Sequence, residues 1–94
     1  MFVRTTRFKV KQSSMSRIRE IAEGSRDQVS RMEGLLHSYS CVDDSGTGLL
    51  IGIWDDEEKA RLGAPRVKAL WESIAEHFEG EPQATEYRTV VEIK

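Results

Sequence analysis

The chain has 94 residues, of which 38% are hydrophobic and 32% charged, and a formal net charge of −2. Such a length allows one small domain (residues 1–94) with a single modest core, and the composition is globular rather than disordered. The balance of charge argues against duplex nucleic acid as a partner, because a duplex binder needs many phosphate-neutralising cations.

Charge is nevertheless unevenly placed. Residues 1–34 carry eight Lys/Arg against four Asp/Glu, and residues 35–94 carry six against twelve. In one compact domain these halves interleave, leaving an anion-binding basic face as the lesser alternative. Cys41 is the only cysteine and forms no internal disulfide, and no zinc-like or other metal ligand set is present. No apolar run approaches the roughly 20 residues that cross a bilayer, and Met1 leads straight into a strand pattern. A soluble, cytoplasmic protein with no membrane partner is expected.

Met1 to Lys11 reads as a first strand, with Phe2, Arg4, Thr6, Phe8 and Val10 on one face. Gln12-Ser13-Ser14 breaks it and offers N-cap hydroxyls. Between Met15 and Met32 the apolar residues Met15, Ile18, Ile21, Ala22, Val29 and Met32 recur at three- and four-residue steps, predicting an amphipathic helix. Gly24 weakens it, and Gly34 is its expected stop.

Two strand-like runs then flank the turn cluster Asp43-Asp44-Ser45-Gly46-Thr47-Gly48, predicting a β-hairpin. In the first run His37, Tyr39 and Cys41 oppose Leu36, Ser38, Ser40 and Val42. In the second, Leu49, Ile51 and Ile53 oppose Leu50, Gly52 and Trp54, and Gly52 leaves room for a bulky neighbour or ligand. This run is apolar on both faces, the pattern of a sheet covered on both sides, yet two helices cover only one. A partner surface is therefore expected, most simply a second copy of the sheet.

Asp55 and Glu58 have the spacing of an acidic capping box at the start of a second helical region. Gly63-Ala64-Pro65 predicts a break, with a short helix to about Leu62 and a longer one from Pro65. The longer one carries the stripe Val67, Leu70, Trp71, Ile74, Ala75 and Phe78. Gly80-Glu81-Pro82 ends it, and Ala84 to Lys94 reads as a last strand. The order β-α-β-β-α-β is the split βαβ, ferredoxin-like α+β arrangement.

On Arg7-Phe8-Lys9-Val10-Lys11, Met32-Glu33-Gly34-Leu35-Leu36-His37, Ile53-Trp54-Asp55-Asp56-Glu57-Glu58-Lys59-Ala60 and Ala64-Pro65-Arg66-Val67-Lys68-Ala69-Leu70, the chain resembles the antibiotic biosynthesis monooxygenase (ABM) family of the dimeric α+β barrel superfamily. The resemblance spans nearly the whole chain, and its motifs mark a fold more than a function. It implies a homodimer with two sheets face to face, and a small pocket in each subunit between sheet and helices. It also implies oxygenation of a small aromatic or quinol ligand without metal, flavin or other cofactor. The haem-degrading branch is disfavoured, since the first strand has no Asn and Gly63 stands where that branch has a Trp, with Trp71 or Glu72 at its His position.

A cofactor-free oxygenase needs a base or hydrogen-bond partner for a phenol and an apolar chamber for the resulting carbanion. His37 and Tyr39 are the candidate catalytic pair, with Trp54, Trp71 and His77 as candidate pocket residues. In the competing reading His37 and Tyr39 pack in the dimer barrel, His77 is a boundary residue, and both tryptophans are core anchors. Periodicity alone does not choose between His37 and Tyr39 and the opposite set Leu36, Ser38 and Ser40, because a one-residue register shift exchanges the two faces of the second strand; His37 and Tyr39 are expected on the helix-facing side, as the polar groups of a small-molecule site. The corresponding alternative function is a non-catalytic dimeric ligand-binding or assembly module.

Overall fold

The structure, a computed structural model, describes residues 1–94. Strand β1 (Phe2–Lys9) is followed by a 3₁₀ segment (Gln12–Arg17) and two short helices, α1 (Ile18–Gly24) and α2 (Arg26–Ser30). The hairpin β2 (Leu35–Val42) and β3 (Thr47–Trp54) comes next, then α3 (Glu57–Ser73), a 3₁₀ turn (Ala75–His77) and β4 (Gln83–Tyr87). The strands form one antiparallel sheet in the order β2-β3-β1-β4, so β2 and β4 are its edges. This is the α+β, ferredoxin-like arrangement expected from the sequence.

The hairpin turn forms where Asp43 organises it. Asp43 Oδ1 accepts from Ser45 N at 2.9 Å, Ser45 Oγ at 2.6 Å and Thr47 N at 3.0 Å. These bonds, the Ser45 hydroxyl foremost, hold the Asp43 carboxyl below its ordinary range. Gly46 takes φ +92°, a left-handed value that favours glycine.

Three expected elements differ. The helix expected over Met15–Met32 is split, because Ser25 Oγ bonds back to Ala22 O at 2.7 Å and the chain re-enters a helix only at Arg26. No residue of α1 or α2 is fully buried. The break expected at Gly63-Ala64-Pro65 does not occur, and α3 runs continuously through Pro65. Its cap is Asp56, whose Oδ1 accepts from Lys59 N at 2.8 Å, and not Asp55. Gly63 is there for packing. A Cβ at that position would stand 2.5 Å from the ring of Trp54.

Because Pro65 lies mid-helix, it removes one backbone bond and crowds the carbonyl of Arg61. Pro65→Ala is therefore expected to stabilise the protein, by up to about 3 kcal/mol. A urea midpoint that stays level or falls would show that the proline ring contributes packing that offsets its helix cost.

The last strand ends at Tyr87 rather than running to Lys94, and Ile93 is 94% exposed. Arg88 ties this segment back to α3, with Nε 2.6 Å from Glu57 Oε1 and a second bond of 3.1 Å to Oε2. Arg61 joins at 2.7 Å. The Arg88 hydrogen bond, aided by the charges of both arginines, lowers the Glu57 pKa. The tether is thus complete above the ordinary carboxylate range and is lost as pH falls through the lowered value.

Two apolar clusters hold the helices to the sheet. Phe2, Met32, Trp54 and Ala60 form one, and Phe8, Val10 and Phe78 the other. The opposite face of the sheet carries Val3, Leu49, Ile51 and Ile53 with no helix over it. The accessible surface is 6824 Å². Folded monomers of this mass expose about 5,500 Å², so the chain leaves far more surface open than its size requires.

Candidate functional site

Helices α1 and α2 stand off the β2 side of the sheet and leave a cleft of about 640 Å³. That volume lies within the span of small-molecule sites, roughly 300–1,000 Å³. The α1–α2 wall presents Ile18, Ile21, Ala22 and Val29, and the far wall is Leu70, Trp71 and Ile74 from α3 and the turn after it. An aromatic cluster closes one end, with Phe8, Trp71 and Phe78 at centroid separations of 5.2 to 5.5 Å. Trp71 Nε1 is buried there without a hydrogen-bond partner. Glu23, Arg19 and Arg26 supply charge along the helical wall, and Glu23 is its one carboxylate.

The register of β2 decides which of its side chains look into the cleft. Leu35 pairs with Trp54, but His37 pairs with Ile53, so Leu36 is an extra residue, a bulge that reverses the alternation. Beyond it Ser38, Ser40 and Val42 pair with Gly52, Leu50 and Gly48, which lie on the helix-facing side with Arg4, Thr6 and Phe8. His37, Tyr39 and Cys41 pair with Ile53, Ile51 and Leu49 on the side turned away from the helices.

The expectation that His37 and Tyr39 face the helices is thereby corrected. Their rings stack on each other at 6.3 Å and 14°, and Tyr39 is 58% exposed. They touch the cleft along the free edge of β2, where every residue from Leu36 to Ser40 borders it.

The expected pocket residues separate in the same way. Trp71 lines the cleft. Trp54 does not; it is buried in the first core cluster and borders a smaller cavity behind the cleft. His77 is outside both. Its Nδ1 lies 2.8 Å from the Ser14 hydroxyl and its Nε2 3.6 Å from Glu76, so it ties the two 3₁₀ turns together. Ser38 and Ser40, the opposite set of β2 that periodicity left open, are the ones that face the cleft; the bulge at Leu36 that selects them has no glycine or proline to signal it in the sequence.

No family model matches the chain, nor does any curated protein. Solved structures do. One is a candidate antibiotic biosynthesis monooxygenase from Deinococcus radiodurans, with TM-score 0.81 and 14% identity over 100% of this chain and 97% of that one. Another is a conserved protein from Methanosarcina mazei Go1, with TM-score 0.78 and 14% identity over 96% of this chain and 94% of that one. A third is the monooxygenase ActVA-Orf6 of Streptomyces coelicolor, solved with the ligand nanaomycin D. It has TM-score 0.76 and 21% identity, over 99% of this chain and 90% of that one. At these identities the likeness is one of fold. At that level the resemblance to antibiotic biosynthesis monooxygenases read from the sequence is borne out. No helix is long and apolar enough to cross a membrane.

Proposed function

We propose that this protein is a homodimeric oxygenase of a small aromatic or quinol substrate, acting in the cleft without metal or flavin. The cleft carries the proposal, because it offers a ring-sized, aromatic-ended chamber between sheet and helices. Supporting it is a fold shared with a monooxygenase solved with nanaomycin D. In such chemistry a phenol loses its proton, the delocalised carbanion adds dioxygen at a ring C–H carbon, the peroxide anion takes a proton back, and the hydroperoxide loses water, with that carbon's hydrogen, to leave a carbonyl. The chamber's part is to hold the ring away from bulk water while the carbanion exists. Glu23 on the helical wall and His37 at the β2 edge are the proton-accepting side chains that border the cleft.

Dimerisation belongs to the same proposal. The uncovered face of Val3, Leu49, Ile51 and Ile53, flanked by Tyr39 and Tyr87, is an apolar, aromatic-rimmed surface suited to a second copy of itself.

A specific placement favours a second reading, that of a non-catalytic dimeric ligand-binding module. His77 is engaged with Ser14, and the register turns His37 away, so no histidine side chain is directed into the cleft. Oxygen-electrode measurements with a panel of hydroquinones separate the two, since uptake above the uncatalysed rate is expected only for the oxygenase. The cleft itself is tested by tryptophan fluorescence with a small aromatic ligand. Ser38→Ala is expected to weaken binding several-fold and His37→Ala to leave it unchanged, and the reverse pattern would place the site on the other face of β2.

A further inference from the structure

Behind the cleft lies a second cavity of about 40 Å³, lined mostly by apolar residues, Trp54 among them, with Arg4, Thr6 and Ser38 as its polar side chains and Gly52 beside them. It adjoins the cleft, since Val29, Leu35, Ser38, Leu50 and Leu70 border both. We infer that this small cavity is an anion subsite, in which Arg4 and Ser38 hold a carboxylate or comparable oxyanion of the ligand whose ring occupies the cleft. The inference rests on the cleft being a ligand site, but not on oxygenation.

Sheet register builds the subsite. Ser38, Gly52, Arg4 and Glu86 form one row across β2, β3, β1 and β4 on the helix-facing side. Gly52 brings no side chain to this row. With strands spaced about 4.8 Å apart, Arg4 and Ser38 stand on either side of a slot about 10 Å wide between their backbones. The Trp54 indole closes the slot at one end, its Nε1 lying 3.1 Å from where a Gly52 Cβ would be. Arg4, Thr6, Ser38 and Trp54 all border the cavity, so each brings a hydrogen-bond donor to its lining. The volume suits a group of a few heavy atoms, because one water-sized probe needs about 10–15 Å³.

Arg4 supplies the reason that the occupant is negative. Its neighbours along β1 on that face, Phe2 and Thr6, are buried, and its Nε is buried without a hydrogen-bond partner. Arg4 takes part in none of the chain's ion pairs, and Glu86 in the same row does not reach it. A guanidinium kept partly out of water without a counter-ion is costly. An oxyanion on the Gly52 floor relieves that cost with charge-assisted hydrogen bonds.

The test uses 2-naphthoate and its neutral counterpart 2-naphthamide, titrated into the full chain. The unaltered protein should prefer the naphthoate by about tenfold or more, the usual worth of a hydrogen bond to a charged group. Arg4→Met should bring naphthoate affinity down to that of the amide and leave the amide within about twofold. The preference of the unaltered protein is read without any variant, so a misfolded Arg4→Met does not remove the test. Equal affinities in the unaltered protein, or a preference that survives Arg4→Met in a folded variant, overturn the subsite while amide binding keeps the cleft. Failure of both ligands to bind overturns the subsite and the cleft together.

Discussion

Ile51→Asp is expected to turn the proposed dimer into a folded monomer. Ile51 lies on the central strand β3, between Thr5 and Tyr39, on the face turned away from the helices. The variant's carboxylate would leave the monomer core untouched but would be buried twice in a two-fold interface. An unpaired buried charge costs about 3–5 kcal/mol, which is at least a hundredfold in dimer affinity. Sedimentation at micromolar concentration should give twice 10.7 kDa for the unaltered protein and 10.7 kDa for the variant, with unchanged far-ultraviolet circular dichroism. A monomer mass for the unaltered protein would refute the dimer outright.

Trp54→Ala is expected to be the most destabilising single truncation. The ring is 3% exposed, packs with Phe2, Met32 and Ala60, and lies over both Gly52 and Gly63. Gly63 leaves space that only this side chain fills, so its removal leaves a cavity that the sheet and α3 do not close. Truncations of this kind cost about 3–5 kcal/mol, against a total stability for small domains of roughly 5–15 kcal/mol. Only 11 of the 94 residues are buried, so the loss falls on a thin core. Urea unfolding should show a large drop in midpoint. A drop below about 1 kcal/mol would make Trp54 a loosely held wall rather than a core anchor.

The fold was legible because its strongest signals are local. The turn chemistry of Asp43 to Gly46 and the period-two runs beside it specify the hairpin, and the doubly apolar β3 marks a face the helices leave uncovered. What escaped the sequence depends on longer-range geometry. Pro65 and Gly63 read as a helix break by propensity, yet α3 continues because its residues on both sides pack against the sheet and Gly63 accommodates Trp54. The bulge at Leu36 reverses the facing of β2 beyond Leu35 and sends His37 and Tyr39 to the far side. Arg4 was the overlooked clue. It shares the helix-facing side of β1 with Phe2, Thr6 and Phe8 and borders the smaller cavity behind the cleft.

Dioxygen uptake with a naphthohydroquinone, measured on the unaltered protein and on Ala22→Trp, decides whether the cleft is an oxygenase site. Ala22 borders the cleft from α1, so an indole there fills the chamber while both core clusters stay intact. Uptake above the uncatalysed rate is expected of the unaltered protein, and its loss in the folded, dimeric variant. Equal uptake by the two proteins, or none by the unaltered protein, would contradict an oxygenase site in the cleft.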